Sequence, residues 1–388
     1  MSKLEELIKE LCPNGVEYIE LKQLSEIGTG KSNRQDALKN GIYPFYVRSK
    51  DTLRINSYEF DEEAIIIPGE GGIGEIFHYV NGKYALHQRA YRIHVFSKKL
   101  ITKFLYYYMR QNFKQFIYMK AVNATVTSIR KPMIEQFKVP VPPMEVQREI
   151  VRILDNFTEL TAELTAELTA RKKQYEYYRN TLFKFDENNN KIKRLTLGDI
   201  GKVSMCKRIL KAETSPNGEV PFYKIGTFGK EPDAYITYDK FVEYKSKFSY
   251  PKKGDILISA SGTIGRTVVY NGEPAYYQDS NIVWLAHDES VVLNKYLYYY
   301  YQLQPWNVST GGTIARLYND NIAKAKICVP SITEQERIVS ILDRFDALCN
   351  DISVGLPAEI EARKKQYEYY RDKLLTFEPI QSTEKELV

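Results

Sequence analysis

Ten residues occur twice, letter for letter: Ala170-Arg-Lys-Lys-Gln-Tyr-Glu-Tyr-Tyr-Arg179 returns as Ala362-Arg-Lys-Lys-Gln-Tyr-Glu-Tyr-Tyr-Arg371, 192 positions on in a chain of 388. A period of half the length excludes a solenoid of short repeats and points to two folded units, each followed by a helix. The repeat reaches further upstream. Val141-Pro-Pro-Met-Glu-Val-Gln147 and Ile150 to Phe157 return as Val329-Pro-Ser-Ile-Thr-Glu-Gln335 and Ile338 to Phe345, now offset by 188. The second copy thus carries four more residues before its decapeptide, about one helical turn. Looser echoes precede these blocks. Asn40-Gly41 with Pro44 to Tyr46 matches Asn217-Gly218 with Pro221 to Tyr223, and Gly71 to Gly74 matches Gly262 to Gly265. Asn81-Gly82 with Gln88 matches Asn271-Gly272 with Gln278, and Lys103 to Tyr108 matches Lys295 to Tyr300. Two copies share a scaffold and present different surfaces.

The helices are the strongest local signal. From Glu145 to Phe183 there is no Pro or Gly, and Ile150, Ile153, Leu154, Phe157, Leu160, Leu164, Leu168, Tyr175, Tyr178 and Leu182 recur mostly at three or four residues. This predicts a helix of roughly 40 residues, about 60 Å long. So long a stripe requires a partner, and the second copy supplies one in Ile338, Ile341, Leu342, Phe345, Leu348, Ile352, Ile360, Tyr367, Tyr370 and Leu374, with a break expected at Gly355 and Pro357. Short apolar stretches at Tyr43 to Val47, Ala64 to Ile67, Tyr91 to Val95, Ile256 to Ser259 and Thr267 to Tyr270 read as strands. Helices follow at about Ile101 to Tyr118, where Leu105, Tyr108, Met109 and Phe113 share a face, and from about Leu293. The expected fold class is α+β: two mixed α/β domains separated by two long helices that form an antiparallel coiled coil with pseudo-two-fold symmetry. The expected division is 1–143 for the first domain, 144–185 for the first long helix, 186–330 for the second domain, 331–378 for the second helix and 379–388 for a tail.

The balance of 55 basic against 49 acidic residues permits a polyanionic partner without demanding one. The 31 tyrosines suit core packing and also base stacking. Cys12, Cys206, Cys328 and Cys349 lack metal or redox spacing and read as free thiols in a cytoplasmic protein. The amphipathic start is no signal peptide, and no run of 18 apolar residues suggests a membrane span. Gly28-Thr-Gly-Lys-Ser32 lacks the first glycine of a phosphate loop, Gly69 to Gly74 has a relative at Gly262 to Gly265 that marks a structural turn, and the four histidines have no ligand spacing. No metal site and no catalytic set is expected.

The alternation of variable domain, Pro-Pro-x-x-x-Gln helix, second variable domain and matching helix resembles the specificity subunits of type I restriction-modification systems, over Asn14 to Phe377. Val139-Pro-Val-Pro-Pro143 with Gln147, Val329-Pro330 with Gln335, and both decapeptides carry the likeness. Ser331 stands where the first copy has Pro143, a departure that bears on the domain-to-helix turn. The resemblance implies two target-recognition domains, each reading half of a bipartite double-stranded DNA site. It implies helices that set the spacer and dock methyltransferase subunits, two of them, with restriction or translocase subunits joining. It further implies a non-catalytic chain without cofactors, S-adenosylmethionine, ATP and Mg residing on those partners. The docking and coiled-coil positions are Leu154, Phe157, Leu160, Leu164, Leu168, Tyr175, Tyr178, Leu342, Phe345, Tyr367 and Tyr370. DNA readout calls for long polar side chains on loops. The candidates are Lys31, Arg34, Arg48, Lys50, Arg130 and Lys131 in the first domain, and Lys207, Arg208, Lys211, Lys224 and Arg316 in the second. Taken singly, each also reads as an ordinary solvated cation. Two other readings are a free-standing two-headed DNA-binding regulator, which does not need identical docking segments, and an enzyme, which needs a catalytic constellation that the sequence does not display.

Overall fold

The run Phe60-Asp-Glu-Glu-Ala-Ile-Ile-Ile-Pro68 is β-branched and fully buried at its end, and it becomes a central strand of a six-stranded sheet. In the computed structural model, residues 3–120, 128–308 and 315–380 are described. The chain divides into two units, 1–164 with 360–388, and 165–359. In the first unit the sheet order is Ser25–Thr29, Ala90–Val95, Phe60–Pro68, His78–Leu86, Tyr43–Tyr46 and Leu53–Ile55, antiparallel except where Phe45 and Tyr46 run parallel to Ala85 and Leu86. Helix Thr102–Lys120 covers one face. It buries Phe104, Leu105, Met109, Phe113 and Ile117 against Ile65, Ile67 and Ile93. Ile150 and Leu154 of the long helix Met144–Leu182 close the same core. Each fully buried side chain of this size contributes about 1.5–3 kcal/mol.

The second unit repeats this plan with a split sheet and an added helix, Tyr238–Lys247. Its strands split into a four-stranded sheet (Gly201–Ser204, Ile282–His287, Ile256–Ser259, Thr267–Val269) and a three-stranded one (Tyr235–Ile236, Val220–Tyr223, Tyr276–Tyr277). The counterpart of the continuous strand His78–Leu86 is interrupted at Gly272-Glu273-Pro274, because proline lacks the amide a sheet interior needs. Tyr296, Leu297, Tyr299, Tyr300 and Tyr301 of helix Asn294–Tyr301 pack with Ile338 and Leu342 of helix Ile332–Asn350, and with Tyr175 of the first decapeptide. Many tyrosines are thus core residues whose hydroxyls reach carbonyls or carboxylates. Tyr296 Oη donates to Cys328 O at 2.7 Å, and burial pushes the Tyr300 hydroxyl up to about 12.

The same joint ties each domain to its helix. Gln147, fully buried, accepts from Ile101 N at 2.8 Å and donates Nε2 to Lys99 O and Pro142 O, both at 2.7 Å. Gln335 accepts from Leu293 N at 2.9 Å and donates to Val291 O and Pro330 O at 3.0 Å. Ser331 keeps the turn of its proline counterpart and caps its helix, accepting from Glu334 N. The second copy breaks at Gly355, where a Cβ would lie 2.5 Å from Ala347 O; helix Leu356–Leu374 starts at once, with Pro357 in its first turn.

The units do not follow the linear order of the domains. The long helix Met144–Leu182 contributes its first part to one unit and its second part to the other, while helix Leu356–Leu374 lies largely with the first unit. Each decapeptide therefore packs on the helix of the other copy. Tyr370 stacks on Phe157 at 5.5 Å in the first unit, and Tyr178 stacks on Phe345 at 5.3 Å in the second. The residues after the second decapeptide return to the chain's start: Val16 N donates to Glu378 O at 2.8 Å and Ile380 N to Val16 O at 3.2 Å. The segment from 379 onward thus begins as a paired strand-like contact. Gly15 permits it, since a Cβ there would meet Glu378 O at 2.6 Å.

The N-terminal helix Lys3–Leu11 is fixed partly by charge. The Glu149 carboxylate, only 6% exposed, receives Arg152 at 2.7 Å and Lys3 at 3.2 Å. The Arg152 hydrogen bond, reinforced by Lys3, holds its pKa at about 2. A depressed carboxylate stabilises fully above its unfolded value near 4.3 and loses that contribution as pH falls through about 2. Acidification from pH 5 to 2 is expected to loosen this helix by about 1–2 kcal/mol, discounted because both cations remain largely in solvent. Glu149→Gln should flatten the response in hydrogen exchange of residues 4–11; an unchanged acid profile would refute the assignment.

Candidate nucleic-acid interface

In both units the polar loops that leave the main sheet at one end converge. In the first unit the loop after strand Ser25–Thr29 carries Lys31 and Arg34, whose side chains are exposed. Its backbone is pinned by Glu59, which accepts from Lys31 N at 2.8 Å and Ser32 N at 3.2 Å, and by Gln88, whose Nε2 donates to Asn33 Oδ1 at 2.6 Å. Gly30 is required there, because a Cβ would fall 1.8 Å from Leu86 O. The Gly-Thr-Gly-Lys-Ser run is thus a close backbone crossing. Arg48, at the end of strand Tyr43–Tyr46, donates Nη1 to Glu70 Oε2 at 2.7 Å, and Arg89 reaches the same oxygen at 3.3 Å. Lys50 is exposed two residues on. Ile129 N donates to Gly69 O at 2.8 Å, bringing Arg130 and Lys131 beside the glycine turn, with Lys131 3.7 Å from Glu135.

The second unit builds the same corner from different residues. Arg208 and Lys211 occupy the positions of Lys31 and Arg34: both loops enter a single helical turn whose leading amide donates to a carboxylate three residues on, Asn33 N to Asp36 and Leu210 N to Glu213. Arg208 Nε donates to Asp279 Oδ2 at 2.9 Å. Lys207 Nζ lies 5.4 Å from the Phe248 ring, Lys224 is paired with Asp233 at 2.8 Å, and Arg316 Nη2 donates to Ser280 O at 3.1 Å. Leu317 N bonds Ala260 O as Ile129 N bonds Gly69 O, so the counterpart of Arg316 is Ser128, and Arg130 corresponds to Tyr318. The polar runs proposed to lead into these places, 124–128 and 309–313, lie outside the described residues save Ser128. A cleft of 550 Å³ is lined by Arg208, Lys211, Lys224, Gln278 and Asn281, and a neighbouring one of 520 Å³ by Ser280, Arg316 and Tyr318.

Sequence reasoning missed Arg89, Glu70, Asp279 and Asn281. The echo of Gln88 and Gln278 was the available signal, since both begin or flank the loop at this corner. Among the helix positions named for docking, Leu154, Leu342 and Tyr175 are interior and cannot touch another chain, because they close the two cores. Phe157, Phe345, Tyr178 and Tyr370 form the stacked pairs, Tyr367 packs against the first core, and Leu160, Leu164 and Leu168 are half-buried. Flanking these, Tyr177 and Tyr369 stand 65% and 63% exposed at matching places in the two decapeptides. Lys103 and Tyr107 both hold Asp155, and Lys295 and Tyr299 hold Asp343, so each junction has the same polar clasp. Among the described residues, no group of three or more His, Cys, Asp or Glu is placed to hold a metal ion, and no helix is long and apolar enough to cross a membrane.

The family model for the type I restriction modification DNA specificity domain matches twice, over residues 13–171 and 189–362. A putative type I restriction enzyme specificity subunit of Haemophilus influenzae is 48% identical over 375 residues, covering 92% of this chain and 96% of that one. The EcoR124I/EcoR124II specificity subunit of Escherichia coli is 35% identical over 304 residues, 72% of each chain. The fold is shared with the crystal structure of a type I restriction-modification S subunit from M. genitalium, at TM-score 0.56 and 17% identity over 93% of this chain and 95% of that one. A chain from a structure of type I system assembly and conformational transition gives TM-score 0.59 at 16% identity, over 94% of this chain and 98% of that one. Two matched domains, two equivalent polar corners and a relative nearly half identical along almost the whole length establish that the chain belongs to the DNA specificity subunits of type I restriction-modification systems.

Proposed function

We propose that each unit reads one half of a bipartite DNA site through its polar loop corner, and that the helices form an antiparallel, pseudo-two-fold pair that fixes the spacer. The observation that carries this reading is the paired construction: the same anchored basic loop recurs at the same end of both sheets, with Lys31 and Arg34 in one unit and Arg208 and Lys211 in the other. Anchored loops limit the side-chain ordering that base recognition otherwise demands. The ion pairs that hold Arg48, Arg208 and Lys224 aim cations that phosphates or base edges can then engage. Tyr177 and Tyr369, exposed alike, are matched anchors for two methyltransferase subunits. S-adenosylmethionine, ATP and Mg belong to these and to the restriction or translocase subunits, and this chain contributes recognition without bond-making, in the cytoplasm where the DNA is.

Domain exchange tests the division of labour. Replacing Asn14 to Pro140, or Leu195 to Val329, by the matching segment of another specificity subunit is expected to change one half-site and retain the other, read by sequencing methylated positions. Alteration of both halves by a single exchange would refute independent reading.

A further inference from the structure

We propose that Arg208, braced by Asp279, reads a guanine in the half-site of the second unit; the inference rests on the DNA-reading role above. Both members of the pair are fixed from behind. On the arginine side, the hydroxyl of fully buried Tyr276 donates to Lys207 O at 3.1 Å, and the next side chain, Ile209, is buried. On the carboxylate side, Gln278 N donates to Tyr223 O at 2.9 Å, and Gln278 Oε1 accepts from Ile225 N at 2.9 Å. Ala260 N holds Asn281 O at 2.7 Å, and Ser261 Oγ donates to Asn281 Oδ1 at 2.8 Å. Asp279 is only 18% exposed whereas Arg208 is 66% exposed, so the brace is recessed and the guanidinium projects.

The contact uses Nε alone. Nη1 and Nη2 donate to no described residue and remain as two parallel donors at the outer end of a fork whose direction is set. Guanine offers the complementary acceptors O6 and N7 on its major-groove edge. A phosphate contact is the competing use of an exposed arginine, and one feature disfavours it. Asp279 offsets the positive charge, leaving the pair a weak attractor for phosphate. Two other cations at this corner are differently engaged: Lys224 gives its ammonium to Asp233, and Arg316 spends Nη2 on Ser280 O.

The test uses the full chain co-expressed with its methyltransferase subunits, with methylated positions sequenced for the parent, Arg208→Lys and Asp279→Asn. The expected result is one G·C pair in the second half-site whose preference falls about tenfold to a hundredfold in Arg208→Lys, with a smaller relaxation at the same pair in Asp279→Asn. The first half-site, read by the other unit, stays intact and reports assembly of the complex, and retained selection of the remaining bases of the second half-site reports folding of the unit that carries Arg208. Should Asp279→Asn fail to assemble, Arg208→Lys decides alone. The proposal is overturned by an unchanged motif in Arg208→Lys, by a second half-site without a G·C pair, or by uniform weakening at all positions with a salt slope lower by about one. A parent that modifies no bipartite site would instead sink the DNA-reading role itself.

Discussion

Deleting Thr165 to Leu168 is expected to shift modification to sites whose half-sites stand one to two base pairs apart from the parental spacing, with neither half-site sequence changed. The four residues lie inside the unbroken helix Met144–Leu182, near the division between the two units. Removing them shortens that helix by about 6 Å and turns the remainder by about 40°, since four residues exceed one turn by that angle. The base-pair rise of roughly 3.4 Å converts the length to under two pairs. The local chemistry permits the change. Thr161 Oγ1 donates to Phe157 O at 2.8 Å and Thr169 Oγ1 to Thr165 O at 2.9 Å, so these hydroxyls are satisfied inside the helix, and Leu164 and Leu168 are equivalent half-buried positions. A deleted turn is replaced by its own copy. Sequencing methylated positions in cells carrying the deletion reads the outcome; unchanged spacing, or altered half-sites, would refute the ruler.

What the sequence disclosed follows the range of the interactions. Strand Ile256–Ser259 and helix Thr102–Lys120 were legible because a few adjacent residues decide them: an apolar run in the first, a face of Leu105, Tyr108, Met109 and Phe113 in the second. Pro274 likewise explains a broken strand once its neighbours are known. The charged partners were not legible. Arg208 meets a carboxylate 71 residues away, and Arg48 and Arg89 share Glu70 from opposite sides in sequence. Nothing local marks Asp279 or Glu70 as a brace, since solvated acidic residues are common in any polar loop. The unit boundary was hidden for a related reason: a helix without Pro or Gly shows no seam, so only its packing reveals that Ile150 serves one core and Tyr175 the other.

The doubled glutamine, by contrast, stands in plain view in the repeat, yet its weight is set by what it touches. Gln147→Leu is expected to destabilise the first unit by about 2–3 kcal/mol, because leucine has a similar volume and leaves the buried Pro142 O, and the part-buried Ile101 N and Lys99 O, without their partner. An orphaned buried group costs about 1–3 kcal/mol, which applies in full to Pro142 O beside a side chain with no exposure and only in part to Ile101 N and Lys99 O, nearer the surface. Gln335→Leu should have the same effect on the second unit through Leu293 N, Val291 O and Pro330 O. Urea unfolding monitored by hydrogen exchange discriminates the two. The first variant should lose protection in helix Thr102–Lys120 while helix Asn294–Tyr301 keeps it, and the second should reverse that pattern. Equal loss in both units would mean that they unfold as one body; loss in neither would mean that the glutamines are not the staples of the domain-to-helix joint. Because the joint sets where each polar corner stands on its helix, a variant that still folds should bind its half-site more weakly without changing which bases it prefers.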